Sequence, residues 1–265
     1  LLFALSYALS LALFNYAAAE EFRIGGAGTA LATMRLLADE FTVRNPDVRI
    51  AILPSLGSGG GIKAVVAGAI GLAVAARPPD ESERKLGAVE IEFARTPFVL
   101  AVSTNAKITS ITTREIADIY AGSMVAWADG SPVRIVLRLA SDIDTEIIKN
   151  MSVEIRRGVL IAAARPGTRI AVTDQEAADD LERLPGAIGP TTLAQILSER
   201  RALRALKIDG REPTPKNAAA GVYPYYKRLF MVTGAKRTAA AERFIAFVQS
   251  PAGLQIIARN GQWTP

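Results

Sequence analysis

The chain has neither cysteine nor histidine in its 265 residues. Without cysteine there is no disulfide framework, no thiolate nucleophile and no CxxC redox pair. Lacking both, it cannot build the usual zinc sites or a Ser-His-Asp or Cys-His catalytic arrangement. Most routes to a hydrolase close with them, and an enzyme is not expected. Aromatic residues are only 6% of the chain, and no basic stripe interleaves them, so nucleic acid is not an expected partner. Nucleotide motifs fail as well. Gly57 is followed five residues later by Ile62, and Lys63 by Ala64, so no P-loop forms. A GxGxxG fingerprint starting at Gly26 or Gly57 would end on Leu31 or Ile62. No cofactor and no metal are therefore expected.

What remains is a globular composition, with 50% hydrophobic and 22% charged residues. The length leaves room for one large or two ordinary domains. An excess of 31 basic over 26 acidic residues gives a net charge of +5, a mild balance compatible with an anionic ligand. Residues 1–19 carry no charge and end in Ala17-Ala18-Ala19 before Glu20-Glu21, which resembles a secretory signal peptide. A positive n-region and an initiator Met are missing. A permanent anchor is the competing reading, since such a run nearly spans a bilayer. Cleavage near Ala19 is expected, leaving an exported, periplasmic-type soluble protein.

The most informative stretch is Leu53 to Lys63, with four glycines in the five positions Gly57 to Gly61. It follows an apolar run, Val48 to Leu53, that reads as a strand, and precedes a helix expected from Ile62 to Ala69. Glycines let backbone approach a ligand closely, and the N–H groups of a helix start favour an anion. Other strands are expected at Phe22–Gly25, Gly71–Ala75, Phe98–Ser103, Val133–Arg138 and Arg228–Val232. Helices are expected at Thr29–Val43, with Leu31, Met34, Leu37, Ala38 and Phe41 inward, at Thr112–Tyr120 with a Thr112/Glu115 capping box, at Asp144–Met151 and at Ala239–Gln249. This alternation predicts α/β layers with largely parallel sheets and ligand beyond the strands' carboxyl ends. Three junctions there are rich in small and polar residues: Gly25 to Thr29, Gly57 to Gly61, and Arg138 to Asp142.

Taken in order, several segments resemble the phosphate-binding proteins of bacterial ABC importers, within the type II periplasmic-binding fold. They are Gly26-Ala27-Gly28-Thr29, Gly57 to Lys63, Ile119-Tyr120-Ala121-Gly122 through Trp127, Pro185 to Gly189, and Gly221-Val222-Tyr223-Pro224. The resemblance implies two α/β lobes with a two-segment hinge and a ligand cleft between them. Lobe I is expected at 20–102 and 206–265, and lobe II at 103–205. The implied function is capture of a small oxyanion, phosphate first, for a membrane ABC permease by a monomeric binding protein. Carried over by position, Gly28 and Thr29 hold the anion at the first helix and Ser58 and Gly59 at the second. Arg138, Ser141 and Thr145 hold it from the other lobe.

Three departures bear on the ligand. Where the family shows Arg followed by Gly-Ser-Gly-Thr, this chain has Ser141-Asp142-Ile143-Asp144-Thr145. The junction after the Ala73 strand is Ala76-Arg77, without the family's Ser or Asp, and Gly189 is followed by Pro190 rather than Tyr. A carboxylate near the anion repels it unless it accepts a ligand proton. Sulfate and molybdate binding, a sensory module reading ligand out to a membrane partner, and a member that binds no anion stay open. Tyr223, Tyr225 and Tyr226 are expected to be core or hinge packing.

Overall fold

The computed structural model describes residues 20–265, so the leader expected at 1–19 lies outside the described residues. The first part of the chain forms β1 (Glu20–Gly26), α1 (Gly28–Arg44), β2 (Val48–Ser55), α2 (Gly57–Val66), β3 (Leu72–Ala75), α3 (Glu81–Lys85) and β4 (Val89–Ser103). The middle forms β5 (Ser110–Ile111), α4 (Thr113–Ala121), β6 (Arg134–Arg138), α5 (Ile143–Lys149), α6 (Val153–Ala164), β7 (Arg169–Ala171), α7 (Asp174–Arg183), β8 (Ala187–Thr192) and α8 (Leu193–Ser198). The rest forms β9 (Leu203–Ala205), β10 (Lys207–Ile208), α9 (Pro215–Ala219), β11 (Tyr226–Thr233), α10 (Ala239–Val248) and α11 (Pro251–Arg259).

Strands follow the order β2-β1-β3-β11-β4-β8-β6-β7, with β9 on β4 and a separate β10-β5 ladder. The sheet is mixed, which corrects the expectation of largely parallel sheets. β1 pairs parallel with β2 and β3, and β6 with β7 and β8, but β11 runs antiparallel to β3 and β4, and β4 to β8 and β9. β4 is also longer than expected, starting at Val89 rather than Phe98. Its first half carries Glu90, Glu92, Arg95 and Pro97, which disguise it as a loop. Glu92 is instead satisfied on the sheet by Arg95 and Arg228.

β4 serves two hydrophobic cores. Val89 to Pro97 pairs with β11, and Phe98 to Ala101 with β8. Phe93, Ala94, Leu229 and Met231 pack with α1 and α10, whereas Phe98, Leu100 and Val102 pack with Ile116, Ile155 and Tyr223. The protein is therefore a two-lobed α/β fold crossed by neighbouring strands. Tyr223 is fully buried, its hydroxyl donates to the Phe98 carbonyl at 2.8 Å and Tyr225 packs edge-on against it, as expected, whereas Tyr226 is an exposed residue that meets Trp263.

The α1 stripe is buried as its spacing predicts, with Leu31, Met34, Leu37, Ala38 and Phe41 inward. Phe41 meets Phe244 edge-on at 5.4 Å. The Thr112/Glu115 capping box of α4 is present. The glycine run is corrected: Gly57 to Gly61 form the first turn of α2 rather than a loop ahead of it. Of these, Gly61 is needed for close approach, since its Cβ would lie 2.6 Å from Gly26 Cα, whereas nothing lies within 4 Å of a Cβ on Gly57. Phe41→Ala should destabilise by about 3–5 kcal/mol, whereas Val43→Ala, at a position 79% exposed, should stay within about 0.5 kcal/mol. Urea unfolding of both variants checks this.

Candidate functional site

Nine of the described helices begin with a side chain that accepts from the first turn: Asp80, Thr112, Asp142, Ser152, Thr173, Thr192, Thr214, Thr238 and Ser250. The other two, α1 and α2, have Ala27 and Leu56 at that position and no side-chain cap. Both open on one cleft of about 440 Å³, whose far wall comes from the β6–α5 turn and the start of α7. An uncapped helix start presents N–H groups and partial positive charge, and so suits an oxyanion.

Thr29, Ser58, Gly59, Arg138 and Ser141 line this cleft, whereas Gly28 and Thr145 do not. The Thr29 hydroxyl is hydrogen-bonded to that of Thr192 at 2.7 Å. Ser58 Oγ accepts from the Ala76 amide at 3.0 Å, which fixes the turn after β3. Ser141 is exposed. The Gly28 carbonyl accepts from Gln175 Nε2 at 3.1 Å. Thr145 Oγ1 donates to the Leu139 carbonyl at 2.8 Å, so its own turn consumes it. Arg77, beyond the Ala76 departure, is held by Glu83 through both guanidinium termini at 2.7 and 2.8 Å.

The far wall holds a buried charge cluster. Arg138, at the end of β6, donates to Asp142 Oδ2 at 2.7 Å and to the Ala171 carbonyl at 3.1 Å. Its Nε is buried without a hydrogen-bond partner, 3.7 Å from Asp144 Oδ2. Asp142 caps α5, accepting from the Asp144 amide at 2.9 Å. Lys227, on β11, pairs with Asp144 and lies 3.6 Å from Asp174 Oδ1. Asp174 Oδ2 is 3.8 Å from Arg138 Nη2. Two cations thus face three carboxylates, so one negative charge is in excess.

Protonation follows that excess. Burial raises the Asp144 carboxyl to about 7; Lys227 opposes this, and Asp142 and Asp174 reinforce it. Burial also disfavours ionised Asp174, but Lys227 and Arg138 outweigh it and hold that carboxyl below its usual value. Burial disfavours charged Lys227, and Asp144 and Asp174 outweigh it and raise its pKa.

Lys227 and Asp174 are site residues that the sequence reading missed. Lys227 had a signal: it shares inward parity on β11 with the buried Leu229 and Met231. Asp174 had none, since an acid just after a Thr173 cap reads as an ordinary helix-start charge.

The Asp144 shift sets a pH dependence. A carboxyl whose folded pKa lies above its unfolded value of about 3.9 stabilises at low pH and loses that contribution as pH rises through about 7. Wild type should therefore lose stability relative to Asp144→Asn between about pH 4 and pH 8. Denaturant midpoints across that window check this, and a pH-independent difference would mean the carboxyl titrates normally.

Comparison with known proteins agrees with this architecture. The phosphate-binding protein PstS of Bacillus subtilis (strain 168) is 24% identical over 240 residues, covering 88% of this chain and 76% of that protein. A putative phosphate ABC transporter substrate-binding protein from Clostridium perfringens, solved with bound phosphate, superposes with a TM-score of 0.77 at 23% identity, covering 93% of this chain and 100% of that one. The periplasmic molybdate-binding protein of Azotobacter vinelandii gives 0.66 at 16% identity, covering 92% and 99%. A family model described as a PBP superfamily domain matches residues 16–252. With most of its length matched, the chain belongs to the PBP superfamily.

Proposed function

We propose that the protein is an exported substrate-binding protein that captures phosphate in this cleft and delivers it to a membrane ABC permease. It works by binding rather than by chemistry, and as a monomer. The observation that carries the reading is the pairing of two uncapped helix starts with Arg138, whose buried Nε lacks a partner. An oxyanion seated there receives backbone N–H groups from α2 beside Ser58 and Gly59, and a charge-assisted bond from Arg138. Export accords with the signal-like residues 1–19. Among the described residues, no helix is long and apolar enough to cross a membrane.

The carboxylates favour phosphate over sulfate or molybdate. Asp142 and Asp174 both line the cleft, and they repel a fully deprotonated oxyanion. Phosphate near neutral pH retains a proton and can donate it in a hydrogen bond to one of them. The two cores support placing the lobe boundaries where β4 passes from one to the other, near Pro97 and Phe98, and where the chain enters β11, near Tyr225 and Tyr226.

Calorimetric titration of residues 20–265 with phosphate, sulfate and molybdate tests the reading. Phosphate should bind and the other two should bind at least about tenfold more weakly. Arg138→Lys keeps the charge but loses the planar fork, and should weaken phosphate binding by about tenfold or more, since bonds to charged groups contribute about 1.5–3 kcal/mol. No heat with any of the three oxyanions would overturn the assignment.

A further inference from the structure

We infer that Asp144 is a proton-binding site coupled to the cleft: capture of an oxyanion at Arg138 brings a proton onto this buried carboxyl, so that anion and proton are taken up together. This rests on reading the cleft as the oxyanion site, and adds the proton as its second ligand.

Arg138 joins the two places. Its side chain lines the cleft, and its Nε, buried without a hydrogen-bond partner, lies 3.7 Å from Asp144 Oδ2. That oxygen has no hydrogen-bond partner either, while Oδ1 is paired with Lys227. An anion on the guanidinium and an ionised Asp144 therefore draw on the same positive charge. The Asp144 side chain is 1% exposed, so water and salt screen the resulting repulsion little.

Three carboxylates surround the two cations, and their surroundings choose which one takes the proton. Asp142 is 20% exposed at its side chain, accepts from Arg138 at 2.7 Å and accepts from the Asp144 amide at 2.9 Å. Hydrogen bonds to the charged form keep it ionised. Asp174 has Lys227 Nζ at 3.6 Å from one oxygen and Arg138 Nη2 at 3.8 Å from the other. Burial opposes its charge, but those cations outweigh burial and hold it ionised. Asp144 is the least exposed of the three and has one close cation. Burial raises its carboxyl to about 7, against Lys227 and with Asp142 and Asp174. The remaining titratable group that feels its charge is Tyr120 on α4, whose hydroxyl burial and Asp144 both keep protonated.

Charge balance then fixes the direction of the coupling. An oxyanion raises the excess from one negative charge to two or more, and a like charge nearby favours the neutral form of a carboxyl. Protonated Asp144 leaves Arg138 and Lys227 facing Asp142 and Asp174, a balanced set to which the anion is added. By linkage, anion affinity is greatest below pH 7 and falls as pH rises through the value of free Asp144.

Calorimetric titration of residues 20–265 with phosphate, in buffers of differing ionisation enthalpy, counts the protons exchanged per anion. At pH 8 wild type should take up about one proton more than Asp144→Asn, any proton gained by phosphate itself being common to both. Between pH 7 and pH 9 wild-type affinity should fall about tenfold further than that of the variant. Asp144→Asn keeps two cations against two carboxylates, so its cluster stays balanced. If it does not fold, infrared difference spectra of wild type decide: saturating phosphate should bring in the carbonyl stretch of a protonated carboxyl. Equal proton uptake by both proteins, or no such band in wild type, would overturn the proton site and leave phosphate capture standing. No heat with phosphate in either protein would remove the oxyanion reading, and the proton site with it.

Discussion

Lys227 places a full charge where almost no water reaches it, its side chain only 1% exposed. An ion removed from water costs several kcal/mol unless opposite charge meets it at close range. That requirement dictates what gathers around it. Asp144 comes from the start of α5, Asp174 from the start of α7, and Arg138 from the end of β6 to balance them. None of these elements can slide without leaving a buried charge unpaired. Lys227 itself lies on β11, which pairs with the strands of the first core, so the cluster also sets how the two lobes face each other. Its surplus negative charge reaches the cleft, where Asp142 and Asp174 both line the wall.

Local rules made part of this legible in the sequence. The α1 stripe and the α4 capping box depend on residues three or four apart, and both form as their spacing requires. The small and polar junctions marked the cleft because helix starts without bulky side chains are a local property. Pairings between distant segments were not legible. The first half of β4 looks irregular until Arg228, far along the chain, is placed against Glu92. Asp174 reads as a surface charge until α7 is packed against the start of α1. Lys227 is the intermediate case, visible in its inward parity but not in its partners.

Family likeness pointed to the segments but could not say what each hydroxyl does here. Thr145 Oγ1 donates to the Leu139 carbonyl, whereas Ser58 Oγ accepts from the Ala76 amide and keeps its own proton to donate. Both hydroxyls shape the backbone of the cleft. Helix caps divide the cleft in two: they are missing at α1 and α2 on one wall and present, as Asp142 and Thr173, at α5 and α7 on the other.

The crossing between lobes has a mechanical consequence. β4 and β11 are hydrogen-bonded neighbours from Val89 and Thr233 to Pro97 and Tyr226, and the Phe98 amide continues the ladder to the Tyr225 carbonyl at 3.1 Å. Two laterally bonded ribbons resist shear, because slippage breaks every rung, but they yield to bending and torsion. Relative motion of the lobes is thereby reduced to something like a leaf spring with a single soft coordinate. Which atoms of α1 and α7 face one another is thus set by the strands and not by whatever the cleft contains.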